Sequence, residues 1–202
     1  MNTTPDPPTP QRELDEALAA TFPASDPPAM TSNVIATAPD LQCGATQQAE
    51  AEVVEVFRVV HRDQADQPFS SSVNRSGGRW TSPGTPAVYA STTPAGAVLE
   101  FLAHLDGEKP VDLVLVKART PGRNVTTATS LPDNWRETPH REDVREYGNA
   151  WISAGEALAL NLPSVLCEQS RNLLINPEHE NISQLLVEGA EPFTLDPRLL
   201  RK

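Results

Sequence analysis

Apolar residues are unevenly spread along this chain. Up to about Glu50 they are sparse and set among prolines; from Val53 onward they gather into short dense runs divided by turn residues. Val53 to His61, rich in Val and Phe, predicts a first buried strand with Arg58 inside it. Ala87 to Ser91 predicts a second, shorter strand. Thr92 or Thr93 then caps a helix that has Pro94 in its first turn. Val98, Phe101, Leu102 and Leu105 recur at helical spacing, so this face packs on a sheet, with Glu100 beside it. Val111 to Ala118 alternates around Asp112 and Lys117 as a further strand, and Pro121-Gly122 and Pro132-Asp133-Asn134 mark turns. A second helix is expected from Thr138, with Pro139 in its first turn, to about Ala154, with Val144, Tyr147, Ala150 and Trp151 along one side and Gly155 as its stop. Three apolar pieces follow: Ala157 to Cys167, Asn172 to Ile175 and Gln184 to Val187. They suit strands of an antiparallel or mixed sheet, and Pro163 marks an edge, bulge or strand end. The pattern as a whole predicts an α/β (α+β) domain and contains no internal repeat.

Composition divides the chain in two. Residues 1–50 hold eight of the 20 prolines and few large apolar side chains, too little to offset chain entropy. They are expected to be a mostly disordered leader with a short amphipathic helix at 12–22, through Leu14, Leu18 and Phe22. The alternative for this helix is a docking peptide, since such helices commonly lie in grooves. Residues 51–202 form the expected folded domain.

Charge and special residues narrow the functions. A net charge of −11 argues against unassisted binding to nucleic acid or to an anionic membrane, and an anionic substrate would need local arginines. The two cysteines, Cys43 and Cys167, have no metal or redox spacing, which fits a reducing, cytoplasmic setting. No run approaches the length of a membrane span. His61, His104, His140 and His179 are dispersed, so no metal site is expected. Dinucleotide, phosphate-loop and nucleophile-elbow fingerprints are missing.

The densest chemistry lies between Ser76 and Leu105. Gly77-Gly78-Arg79-Trp80 is a glycine turn carrying a cation and an indole, Ser82-Pro83-Gly84-Thr85-Pro86 is a stiffened loop, and Val88-Tyr89-Ala90-Ser91 leads to Leu99-Glu100 on the helix. With Phe57-Arg58-Val59, Leu162-Pro163-Ser164 and Leu174-Ile175-Asn176-Pro177, these motifs resemble, in order, the RES domain found in toxins encoded beside Xre-type antitoxins. The resemblance runs from about Val53 to the end of the chain. It implies an ADP-ribosyltransferase-like fold, NAD as substrate, and cleavage either by phosphorolysis, with inorganic phosphate as co-substrate, or by hydrolysis. It also implies an Xre-type antitoxin as partner, and it leaves a homo-oligomer open.

Each candidate residue has a plain alternative. Arg58 reads alone as a strand arginine paired with a carboxylate; the resemblance makes it an NAD ligand, for which a planar guanidinium suits a diphosphate. Arg79 reads as a surface charge or, by resemblance, as a second NAD ligand. Tyr89 is a core aromatic or the wall of a nicotinamide pocket. Ser164 ends a strand or belongs to the active site, without a Ser-His-Asp arrangement to make it a nucleophile. Asn176 forms a turn before Pro177 or contacts the cofactor. Glu100 is a solvated helix residue or the carboxylate that stabilises positive charge on the ribose as nicotinamide leaves. Two further readings of the scaffold stand beside NAD degradation: a protein ADP-ribosyltransferase, and a non-catalytic interaction module.

Overall fold

The computed structural model describes residues 52–71, 76–105, 110–139 and 141–200; the leader and the helix expected at 12–22 lie outside the described residues. One twisted sheet organises them. An interior strand, β1 (Val53–His61), pairs antiparallel with β3 (Leu113–Pro121) along its whole length, from Val53 opposite Pro121 to His61 opposite Leu113. On its other side β1 meets β2 (Val88–Ser91) at the pair Phe57–Ser91. Beyond β2 come β6 (Arg171–Ile175), β5 (Ala159–Pro163) and β4 (Val125–Thr127), while β7 (Leu186–Phe193) flanks β3. The order is β4-β5-β6-β2-β1-β3-β7, with β4 parallel to β5 and every other pair antiparallel.

Strand parity sorts side chains between two faces. One face buries Val56, Val60, Val88, Val114, Val116, Leu173 and Ile175 under Phe69, Leu158 and Leu185. The other is covered by two helices. Helix α1 (Pro94–Ala103) lays Ala97, Val98, Phe101 and Leu102 over Phe57, Val59 and Leu113. Helix α2 (Glu142–Ala154) lays Val144 and Ile152 over Leu160, Leu162 and Leu174, together with Trp80.

Helix α1 begins as its sequence requires. Thr93 is extended and its side chain accepts the Gly96 N–H, with Pro94 next in the first turn. Its tightest contact is at Gly96, where a Cβ would stand 2.2 Å from the Ser91 hydroxyl oxygen, so a glycine brings the helix down onto β2. Helix α2 starts four residues later than Thr138; the Thr138–Pro139 peptide is cis, and Arg141, extended at the N-cap, does not continue a helical turn. Its buried line is Val144, Gly148 and Ile152, with Ala150 exposed instead of packed. Gly155 ends it in the left-handed conformation at φ 60°. Strand β3 extends to Pro121, past the alternating run, because β1 supplies a partner throughout. Likewise β7 extends beyond Val187 to Phe193 by pairing with β3 across a bulge at Lys117/Ala118. No helix among the described residues is long and apolar enough to cross a membrane.

Candidate functional site

Polar side chains collect on the helix-covered face, where α1 and α2 flank the ends of β2, β5 and β6. Tyr89 and Ser91 on β2 share parity with Asn172 and Leu174 on β6, which places them on this face. The Tyr89 hydroxyl accepts the Trp80 N–H at 3.2 Å and exchanges a hydrogen bond with the Thr81 hydroxyl at 2.9 Å. Burial pushes its pKa up, while these hydrogen bonds and the Arg145 charge act to lower it. The glycine turn wraps the ring closely. Gly77 adopts φ +71°, the Gly78 N–H donates to the Thr81 carbonyl, and a Cβ at Gly78 would stand 2.8 Å from the Tyr89 ring and hydroxyl.

Arg79 follows in the same turn. Its Nη1 donates to the Trp135 carbonyl at 2.7 Å and the Glu137 carbonyl at 2.9 Å, and it makes no ion pair among the described residues. Burial lowers its pKa, and the charges of Glu100 and Tyr89 oppose that shift. Arg79 thus senses both groups electrostatically. Trp80, next along, is buried, stacked on Trp135 with centroids 5.7 Å apart and tilted against Tyr147.

Glu100 is held from the sheet. One carboxylate oxygen, Oε1, accepts both the Ser164 hydroxyl at 2.8 Å and the Asn172 amide at 2.6 Å. Ser164 is 2% exposed, and its Oγ accepts the Leu166 and Cys167 N–H groups at 3.1 and 3.3 Å. The Ser164 hydroxyl thus donates to Glu100 while accepting from two backbone N–H groups, which ties the carboxylate to the segment after β5. The other oxygen, Oε2, makes no hydrogen bond among the described residues.

The structure brings together Arg79, Tyr89, Glu100 and Ser164. Arg58 lies elsewhere. It shares parity with Val56 and Val60 on the opposite face of the sheet, and its Nη1 donates to the Pro68 carbonyl at 3.0 Å. No carboxylate pairs with it among the described residues, and burial lowers its pKa to about 10. Asn176 is buried in a structural role: its Nδ2 donates to the Ile152 carbonyl and its Oδ1 accepts the Glu178 N–H. It lines a cleft of about 810 Å³ with Pro83, Pro86, Asn149, Ser153 and His179; none of Arg79, Tyr89, Glu100 and Ser164 lines that cleft. The Glu100 cluster is the candidate for chemistry taken up below, since there a carboxylate is held by two side-chain donors and its charge acts on an arginine.

Three residues join this arrangement without a sequence signal that isolates them. Asn172 reaches Glu100 through strand pairing. Asn149 holds the loop after Trp80, its Oδ1 accepting the Ser82 N–H and the Thr85 hydroxyl while its Nδ2 donates to the Ser82 hydroxyl. A Gly-Asn pair inside a helix is a poor helix former, and that was the available signal. Arg145, one turn earlier on α2, acts electrostatically on Tyr89; its Nε is buried without a partner among the described residues and its Nη1 lies 3.8 Å from Glu142. Among the described residues no group of three or more His, Cys, Asp and Glu could hold a metal ion.

The profile of the RES domain matches residues 55–196. The chain is 31% identical over 145 residues to the Prs ADP-ribosylating toxin of Sphingobium sp. (strain YBL2), covering 69% of this chain and 90% of that one. It is 34% identical over 129 residues to Toxin Res of Pseudomonas putida, covering 62% and 87%. The fold is similar to that in the crystal structure of the M. tuberculosis MbcT–MbcA toxin–antitoxin complex, with a TM-score of 0.50, 13% identity, and coverage of 77% of this chain and 94% of that one.

Proposed function

This chain belongs to the RES domain family, and on that premise we propose that it is the toxin of a toxin–antitoxin pair and cleaves the bond between nicotinamide and ribose in NAD. The observation that carries the reading is the state of Glu100: one carboxylate oxygen is fixed by two donors, the other makes no hydrogen bond among the described residues, and the carboxylate charge acts on Arg79.

The chemistry asks for that arrangement. As the C1′–N bond breaks, its electron pair leaves with nicotinamide, which departs as a neutral ring, and positive charge builds on the ribose. A carboxylate oxygen at the sugar, or accepting from its hydroxyls, stabilises that charge in the transition state more than in the bound ground state. An acceptor oxygen then bonds to C1′ and gives up its proton. Only one carboxylate is required, because the leaving ring needs no protonation. Tyr89 offers an aromatic wall for nicotinamide. Arg79 and Arg145 offer local positive charge for the diphosphate within an acidic chain.

Phosphate, water or a protein side chain can serve as acceptor. Transfer to a protein is favoured by one observation, that a relative 31% identical to this chain is named an ADP-ribosylating toxin. Incubating the full chain with NAD, with and without phosphate and with a candidate protein acceptor, decides among them. ADP-ribose 1″-phosphate, free ADP-ribose or labelled protein would identify the acceptor, and intact NAD under all conditions would favour the non-catalytic module. The likeness to a toxin–antitoxin complex supports an antitoxin as partner, and we assign it to the Xre type, which would supply the DNA binding that this acidic chain lacks.

A further inference from the structure

We propose that Asn172 is a positioning residue for Glu100, fixing the carboxylate through Oε1 so that Oε2 is presented to substrate; this rests on the reading of Glu100 given above. The geometry is direct. Asn172 lies in β6 between Ser91 of β2 and Leu162 of β5, so its side chain shares the helix-covered face with Leu174. Its Nδ2 is 2.6 Å from Glu100 Oε1, and the Ser164 hydroxyl reaches the same oxygen at 2.8 Å. Two donors, one within β6 and one just past the end of β5, meet on one oxygen and set the plane of the carboxylate. A single donor would leave the group free to rotate about its last bond.

The other end of the amide supports the assignment. Asn172 Oδ1 is buried and has no hydrogen-bond partner among the described residues. Reversing the amide would put that oxygen against Glu100 Oε1, two acceptors at hydrogen-bond distance, so the donor must face Glu100. A buried carbonyl oxygen without a donor destabilises the fold, and a β-branched apolar residue in this strand would avoid that cost. An asparagine here is unfavourable for stability and useful to the carboxylate.

This makes stability and activity move in opposite directions on substitution. Asn172→Val removes the donor and the orphan oxygen together. The turnover number for NAD should fall about 10- to 100-fold, since a small misplacement of a catalytic group costs that much, with KM changed less than about threefold and Tm unchanged or raised. A lower Tm with unaltered turnover per folded molecule would make Asn172 a structural residue and overturn the proposal. A second measurement needs no turnover. In the parent, one side-chain amide proton of Asn172 should resonate far downfield because of its short bond to a carboxylate, and Glu100→Ala should abolish that shift. Absence of the shift in the parent, or its persistence in the variant, would also overturn the proposal. A parent that shows the shift but leaves NAD intact would sustain the Asn172–Glu100 pairing and count against the proposed reaction alone.

Discussion

Gly148 lies directly against the backbone of Trp80: a Cβ at this glycine would stand 1.8 Å from the Trp80 carbonyl oxygen and 2.8 Å from its carbonyl carbon. Neither is the end of a flexible side chain, so Gly148→Ala must push α2 away from the turn that carries Arg79. Overpacking of this kind costs about 1–3 kcal/mol, and each kcal/mol lowers Tm by about 2–4 °C at this size. Thermal melting should show that fall, with loss of NAD turnover. Gly189→Ala is the control: nothing lies within 4 Å of a Cβ there, and stability should stay within about 0.5 kcal/mol of the parent.

Glu100→Gln keeps the shape of the carboxylate and removes its charge. Binding of NAD should change little, whereas turnover should fall about 10²- to 10³-fold, as for loss of one preorganised electrostatic group. Calorimetric titration with NAD and initial-rate assays separate the two effects. Unaltered turnover in the folded variant would remove Glu100 from the mechanism.

At Arg79 the expected change is in binding. The guanidinium spans two backbone carbonyls through Nη1 and keeps its remaining donors for a ligand. A lysine ammonium cannot hold both carbonyls and a diphosphate with a fixed fork. Arg79→Lys should therefore raise KM for NAD by about tenfold, about 1.4 kcal/mol, although the charge is retained. An unchanged KM would mean that Arg79 only ties down the 135–137 segment.

Arg58 gives the opposite expectation. It is a base whose pKa is lowered by burial to about 10, so above that pH the unfolded chain still holds the proton that the folded chain has lost, and stability rises with pH only there. Below about pH 10 the guanidinium is charged in both states and the cost of burying it is constant. Arg58→Met removes that cost while filling similar space, so at pH 7 Tm should be unchanged or higher and KM for NAD unaltered. A raised KM would show that Arg58 reaches the substrate after all.

How much of this was legible in the sequence depends on whether local pattern or pairing fixed it. The Val- and Phe-rich run became β1, and Thr93-Pro94 started α1, because a dense apolar segment and a capping residue carry their own information. By contrast β4 is three residues, Val125–Thr127, that become a strand only beside β5. Strand β7 is mostly exposed along its length, so pairing with β3 and not an apolar face defines it. The side of Arg58 was hidden by β1 itself. Val56 and Val60 are buried on one face and Phe57 and Val59 on the other, and a strand apolar on both faces does not reveal which one a polar residue joins. Asn172 lies 72 positions from Glu100, and only the β2–β6–β5 register brings them together.

The stacked indoles of Trp80 and Trp135 give the protein an internal optical gauge. Trp80 adjoins Arg79 in the turn, and the carbonyl of Trp135 is one of the two that Arg79 holds. Two indoles at that separation couple their electronic transitions, and the resulting circular dichroism depends on their mutual angle. If a ligand or a bound antitoxin drew the Arg79 guanidinium away from its carbonyl anchors, the 135–137 segment would shift and the couplet would change sign or fade. Occupancy of the site could then be followed by light alone, without a label and without turnover.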